Sequence, residues 1–242
     1  MTKDDTFKYF RTSREIIRLT VMLFVRFPLS LRKVEDLLHE RGIEVSHESL
    51  RFWWQRFGPL FAAEIRKKRA ERLRSGPQWR RHLDEMFTKI NGERHYLWRA
   101  VDHEGEVLES FVTKTRDKKA ALKFLKKTMR RYGRPESIVT DLLRSYGAAL
   151  RMIGAAQPQE TVQRLNNRAE NSHLPFRRRE RAMQRFRRMR SLQMFAAVHA
   201  SVSNHFNSER SLSSRANFKK NRTAALLWLP PVMQEVSDLA GA

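Results

Sequence analysis

The dipeptide Asn91-Gly92 constrains the fold of this chain more than any other feature. It stands between two apolar-rich runs of strand length, H-L-D-E-M-F-T-K-I (82–90) and H-Y-L-W-R-A-V-D (95–102). Asn-Gly tolerates the positive backbone angles of a two-residue hairpin, so the two runs are expected to pair antiparallel. His103-Glu104-Gly105 turns the chain again, into E-V-L-E-S-F-V-T-K (106–114). The result is a three-stranded meander. An amphipathic helix follows from Lys118 to Tyr132, with Ala121, Phe124, Leu125, Thr128 and Met129 on one face and Gly133 at its end. A short strand Ser137–Asp141, a helix Leu143–Ile153, a weak strand within 160–165 and an arginine-rich helix come next. A meander that passes into a β-α-β pattern predicts an α/β fold, a mixed sheet with helices on its faces.

The N-terminal part is different in kind. Residues 11–25 carry an apolar stripe through Ile16, Ile17, Thr20, Val21, Phe24 and Val25, ended by Phe27-Pro28. Ser30 caps a second helix, Leu31–Glu40, and Arg41-Gly42 closes it. Ser46 caps a third from His47, which Gly58-Pro59 is expected to stop. Two short helices across a tight turn form a helix-turn-helix pattern, with His47, Arg51, Gln55 and Arg56 on the exposed face of the second. Residues 64–78 read as a basic helix and linker, broken at Ser75-Gly76-Pro77. The expected organisation is thus an all-α unit (1–63), the linker, an α/β domain (79–206) and a basic tail (207–242) in which Leu226–Leu229 packs or pairs.

Charge decides what such a chain meets. The 242 residues carry a formal net charge of +23, which calls for a polyanion, and nucleic acid first. Against that background the acids stand out. Asp84 lies inside the first strand and Asp141 at the end of the fourth, where a parallel strand delivers side chains to the crevice beyond its carboxyl end. Glu170 begins the last helix, among Arg168, Arg177, Arg178, Arg179, Arg181 and Arg185. By itself Glu170 fits a capping-box role with Asn167. Likewise, Asp84 fits an arginine salt bridge and Asp141 a helix cap. A carboxylate within an apolar strand is unfavourable unless paired or bound to a cation. Three acids on three elements therefore point to a shared site for Mg²⁺ or Mn²⁺. No P-loop, G-x-S-x-G or H-E-x-x-H competes. His95, His103, His173, His199 and His205 lack ligand spacing and read as surface or core residues. There is no cysteine, no long apolar run and no apolar signal core, so an intracellular protein without a membrane role is expected.

F-P-L-S-L-R-x-V-E (27–35), H-L-D-E-M-F (82–87), H-Y-L-W-R-A-V-D (95–102), T-D-x-L-R-S-Y-G-A-A (140–149) and L-N-N-R-A-E-N-S-H (165–173) together carry a resemblance. From about Arg14 to Ala225 the chain resembles the D-D-E transposases of bacterial insertion sequences, specifically insertion-sequence family six. The resemblance implies an RNase H-like catalytic core behind a helix-turn-helix, with Asp84, Asp141 and Glu170 as catalytic and metal-binding triad. It matches a basic residue seven positions beyond the glutamate to Arg177, two helical turns on and so on the same face. Arg177, Arg178 and Arg179 are expected to hold phosphates, and Pro175 to kink the helix. Further implications are double-stranded DNA at element ends and target, replicative cointegrate-type strand transfer, and a homodimer or larger assembly on DNA in the bacterial cytoplasm, at the nucleoid. Two departures stand: the Asp141–Glu170 spacing is short, and Leu142 replaces the lysine common in relatives. Two rival readings remain, a non-catalytic DNA-binding regulator or decayed transposase and an RNase H-like nuclease that only hydrolyses.

Overall fold

The computed structural model describes residues 7, 9–74, 80–141, 143–154, 159–161, 166–183, 186–206, 214–217 and 219–220, excluding the side chains of 68–74. Leu142, Ser75-Gly76-Pro77 and Leu226–Leu229 lie outside this set. Three helices come first: α1 (Arg14–Arg26), α2 (Leu31–His39) and α3 (His47–Arg74). A five-stranded sheet follows, from β1 (Arg80–Ile90), β2 (Glu93–Asp102), β3 (Val107–Thr113), β4 (Ser137–Thr140) and β5 (Gln159–Glu160). Its helices are α4 (Lys118–Tyr132), α5 (Arg144–Ile153), α6 (Asn167–Ala182) and α7 (Met189–Phe206).

The sheet order is β3-β2-β1-β4-β5, with β1–β2 and β2–β3 antiparallel and β1–β4 and β4–β5 parallel. The mixed α/β sheet expected from the sequence is there, with the meander first and the parallel strands after it. The hairpin forms at the expected dipeptide, with Asn91 at φ 51° and Gly92 at φ 86°. At the outer edge, α7 completes β3 with side-chain amides. Asn204 accepts from Val107 N (3.0 Å) and donates to Val107 O (2.7 Å), while Gln193 accepts from Val112 N and donates to Ser110 O (2.8 Å each).

One sheet face is covered by α4 and α5 over a core of Leu83, Trp98, Phe124, Ile138, Tyr146 and neighbours. The other face shares its core with the N-terminal helices. Met86, Ile90, Leu97, Phe176 and Phe195 belong to one apolar cluster with Ile17, Phe24, Trp54 and Phe57. α1 and α3 thus pack on the sheet domain, chiefly against α7, while α2 packs on α1 and α3.

α3 corrects one expectation: it runs through Gly58-Pro59 to Arg74 instead of stopping. Proline removes one helical hydrogen bond but leaves the φ of its own residue helical. Gly58 serves a different purpose from chain termination. A Cβ there would lie 2.7 Å from the Trp54 ring, so glycine lets the indole fold flat against its own helix. Tertiary burial of Trp54, Phe57 and Phe61 outweighs the local break. The expected serine caps do form, Ser30 to Lys33 N (3.2 Å) and Ser46 to Ser49 N (3.3 Å).

Within the shared core, burial drives the pKa of His199 down to about 3, helped by the charges of Arg99 and Arg179. A depressed histidine contributes stability that is complete above its unfolded pKa near 6.5 and is lost as pH falls towards 3. Glu85, raised to about 7 by burial, has the opposite slope in part of this window, so the comparison must be made between variants. His199→Gln should therefore lose about 2 kcal/mol less than the parent between pH 7 and pH 5, read by denaturant titration at each pH. Equal losses would contradict the buried neutral ring.

Candidate active site at the carboxyl end of the sheet

β1 outlasts its neighbour. The parallel pairing with β4 ends at Leu83↔Thr140, so Asp84 lies beside Asp141 and the rest of β1 has an open edge. Alternation sends Asp84 to one face and Glu85 to the other. Asp141, just past the end of β4, lies at the edge between the faces. Carboxylate oxygens of Asp84, Glu85 and Asp141 thereby come within 4.8 Å of one another.

Each acid has a defined environment. Asp84 accepts from His173 Nε2 at 3.1 Å, not from an arginine. Burial lowers the His173 pKa, with the Asp84 hydrogen bond opposing, so the neutral ring donates from Nε2. Asp141 accepts from Leu143 N with Oδ1 (3.1 Å), a local turn that stops short of the expected capping role, because α5 begins after Leu143 and has no side-chain cap bond, while Oδ2 faces Arg116 at 3.5 Å. Burial raises its pKa, the Leu143 bond opposes, and the nearby Asp84 charge raises it further. The Glu85 side chain is 1% exposed, paired with Arg116 and set beside the buried Tyr146. Its pKa rises to about 7, from burial first and the Asp141 charge second.

Helix α6 tracks the open edge of β1. Asn166 Nδ2 donates to Leu83 O (3.1 Å), His173 meets Asp84, Arg177 Nη2 donates to Phe87 O (2.5 Å), and Thr88 donates to Glu180. Glu170 lies between the first two anchors, exposed, one turn ahead of His173. The carboxylate cluster itself contains Glu85, not Glu170. The helix begins after Asn166, whose side chain makes no cap bond because it is spent on β1, so the Asn167–Glu170 capping box does not form. Pro175 sits within α6, which continues to Ala182.

The arginines divide three ways. Arg178 is exposed. Arg177 is half-buried, holding Phe87 O and Glu180 (2.7 Å). Arg179 is 1% exposed, so its expected phosphate role is corrected: Nε donates to Phe24 O (2.8 Å) and the guanidinium stacks on Phe24 and Phe195. It is a cationic cap on the last turn of α1. On α3, Arg51, Gln55 and Arg56 are exposed, and Arg56 lies over the Phe10 and Phe57 rings. His47 is held between Glu35 (3.0 Å) and Glu48 (2.6 Å).

Sequence reasoning missed Glu85, Arg116 and His173. Only His173 carried a signal, its place one turn after Glu170. The donor set is all carboxylate oxygen, which suits a hard divalent ion such as Mg²⁺. Arg116, 41% exposed, now supplies the compensating positive charge. Arg116→Gln should tighten Mn²⁺ binding by about three- to tenfold, measured by calorimetry. Weaker binding would show that Arg116 assembles the cluster instead of competing for it.

A family model described as a DDE domain matches residues 78–209. The transposase for insertion sequence-like element IS431mec of Staphylococcus aureus is 31% identical over 172 residues, covering 69% of this chain and 75% of the relative. The transposase for insertion sequence element IS257 in transposon Tn4003, also from S. aureus, is 30% identical over the same lengths. Among solved structures, the HTLV-2 integrase catalytic core domain in complex with magnesium aligns with TM-score 0.38 and 13% identity, over 55% of this chain and 88% of that one. Among the described residues, no helix is long and apolar enough to cross a membrane.

Proposed function

This chain belongs to the DDE transposases of bacterial insertion sequences, in family six, and from that premise we propose that it binds the ends of its element and carries out divalent-metal-dependent strand cleavage and strand transfer. The observation that carries the reading is the meeting of acids at the open edge of β1, with α6 laid along that edge. Asp84, Asp141 and Glu170 are the proposed ligands of Mg²⁺ or Mn²⁺. Such ions, when bound, activate an attacking oxygen and stabilise the leaving one.

The chain's own residues do the rest. Neutral His173 fixes the Asp84 carboxylate, and Leu143 N fixes one oxygen of Asp141, so both acids are oriented before any cation arrives. Arg144 and Arg151 line an open groove beside Asp141 and supply phosphate contacts there. Arg178 adds another from α6. Arg51, Gln55 and Arg56 on α3 read or hold the element end, and His47, tied to two glutamates, orients the start of that helix. Water breaks the P–O3′ bond at the element end and frees a 3′-hydroxyl. That oxygen then attacks a target phosphodiester, replicatively, in a dimer or larger assembly at the nucleoid. A new P–O bond forms as the target's own P–O3′ bond breaks and its 3′-hydroxyl leaves.

A strand-transfer assay with element-end DNA tests this. Joined products that need Mg²⁺ or Mn²⁺ are expected. Cut ends that are never joined would leave a hydrolytic nuclease, and bound but uncut ends a regulator.

A further inference from the structure

Beyond the acid cluster, β1 carries a second feature on the same face as Glu85. Phe87 is 49% exposed although it lies in a central strand. Two guanidinium groups lie over its ring, Arg94 at 5.2 Å and Arg177 at 5.4 Å. The cross-strand register places exposed Lys89 and Arg94 opposite one another and half-buried Tyr96 opposite Phe87. Exposed apolar side chains are ordinary one by one; what distinguishes Phe87 is the pair of guanidinium groups over its ring beside the acid cluster. Phe87 lies two residues, or about 7 Å, past Glu85 along the strand. That distance is roughly two stacked nucleotides.

We propose that Phe87 is a stacking platform for an unpaired nucleobase, with Arg94 holding an adjoining phosphate, on a single strand that runs from the acid cluster along the face of β1 that carries Glu85 and Phe87. The ligand class is single-stranded DNA without sequence preference, since every base offers a π-face. Arg177 cannot leave easily, because its second nitrogen is anchored on Phe87 O. With its first nitrogen on Glu180 (2.7 Å), it braces the ring and leaves the phosphate contact to Arg94. The choice of DNA rests on the transposase reading, but the binding needs neither metal nor chemistry.

The test uses the full chain in EDTA and fluorescence anisotropy with two probes of equal length and charge. One is an eight-nucleotide oligothymidylate, the other an eight-unit abasic oligomer. The parent should prefer the thymidylate by about 5- to 100-fold. Phe87→Ala should shrink that preference at least about fivefold and leave abasic affinity unchanged, while Phe87→Tyr keeps it. Arg94→Gln should weaken both probes equally and lower the salt slope by about one. A preference unchanged in Phe87→Ala, or none in the parent, overturns the proposal and leaves strand transfer untouched. Loss of strand transfer with the preference intact would instead overturn the catalytic reading alone.

Discussion

Alanine at Asp84, Asp141 or Glu170 is expected to lower strand transfer by at least about 10³-fold while end binding stays within about twofold. Removing a carboxylate that holds a catalytic cation removes stabilisation made only in the transition state, so the rate falls and binding does not. Glu170 is the sharpest of the three. Its side chain is exposed on α6, whereas Glu85 already sits with Asp84 and Asp141. Yet Glu85 is buried, paired with Arg116 and raised to a pKa of about 7, which suits a neutral or paired acid better than a free ligand. Glu170 has solvent around it and a helix whose contacts with Leu83 and Asp84 fix its distance from the edge. Glu85→Gln should therefore retain transfer within about tenfold. If Glu85→Gln abolished transfer and Glu170→Ala did not, the third acid would be Glu85.

The largest stability effect should come from Phe195→Ala, at about 3–5 kcal/mol in denaturant unfolding. The Phe195 ring lies 5.5 Å from Trp54, 6.3 Å from Phe24, 6.0 Å from Phe176 and 5.8 Å from Phe186. It also carries one side of Arg179 at 5.5 Å. Those partners come from α1, α3, α6 and the segment before α7, so a cavity there cannot be filled by any one helix moving. The same packing makes one joint unfolding transition the expected outcome. Separate transitions for the N-terminal helices and the sheet would show that the shared core does not couple them.

The parts of the fold set by local chemistry are legible in the sequence. Asn91-Gly92 has one good backbone solution, and the stripe through Phe124, Leu125 and Thr128 has one good face. What escaped was decided by tertiary contacts. Gly58-Pro59 is a break by local rules, but Trp54 uses the missing Cβ. Arg179 in a run of arginines looks solvated, but a helix end and two rings receive it. The acids Asp84 and Asp141 were readable because charge inside apolar strands demands a reason. Glu85 was not, because strict alternation sends it away from Asp84, and only the early end of β4 brings both to one edge.

The amides of Gln193 and Asn204 on β3 bear on how copies of this chain can meet. A strand edge with open backbone groups invites another chain to extend it. Here the helix lends its own side chains to that border, so Val107 N and O, Ser110 O and Val112 N are already paired before an incoming ribbon could reach them. Multimers that share a continuous ladder are thereby turned away from this flank, and neighbours must join through side-chain surfaces or at the opposite margin of the sheet.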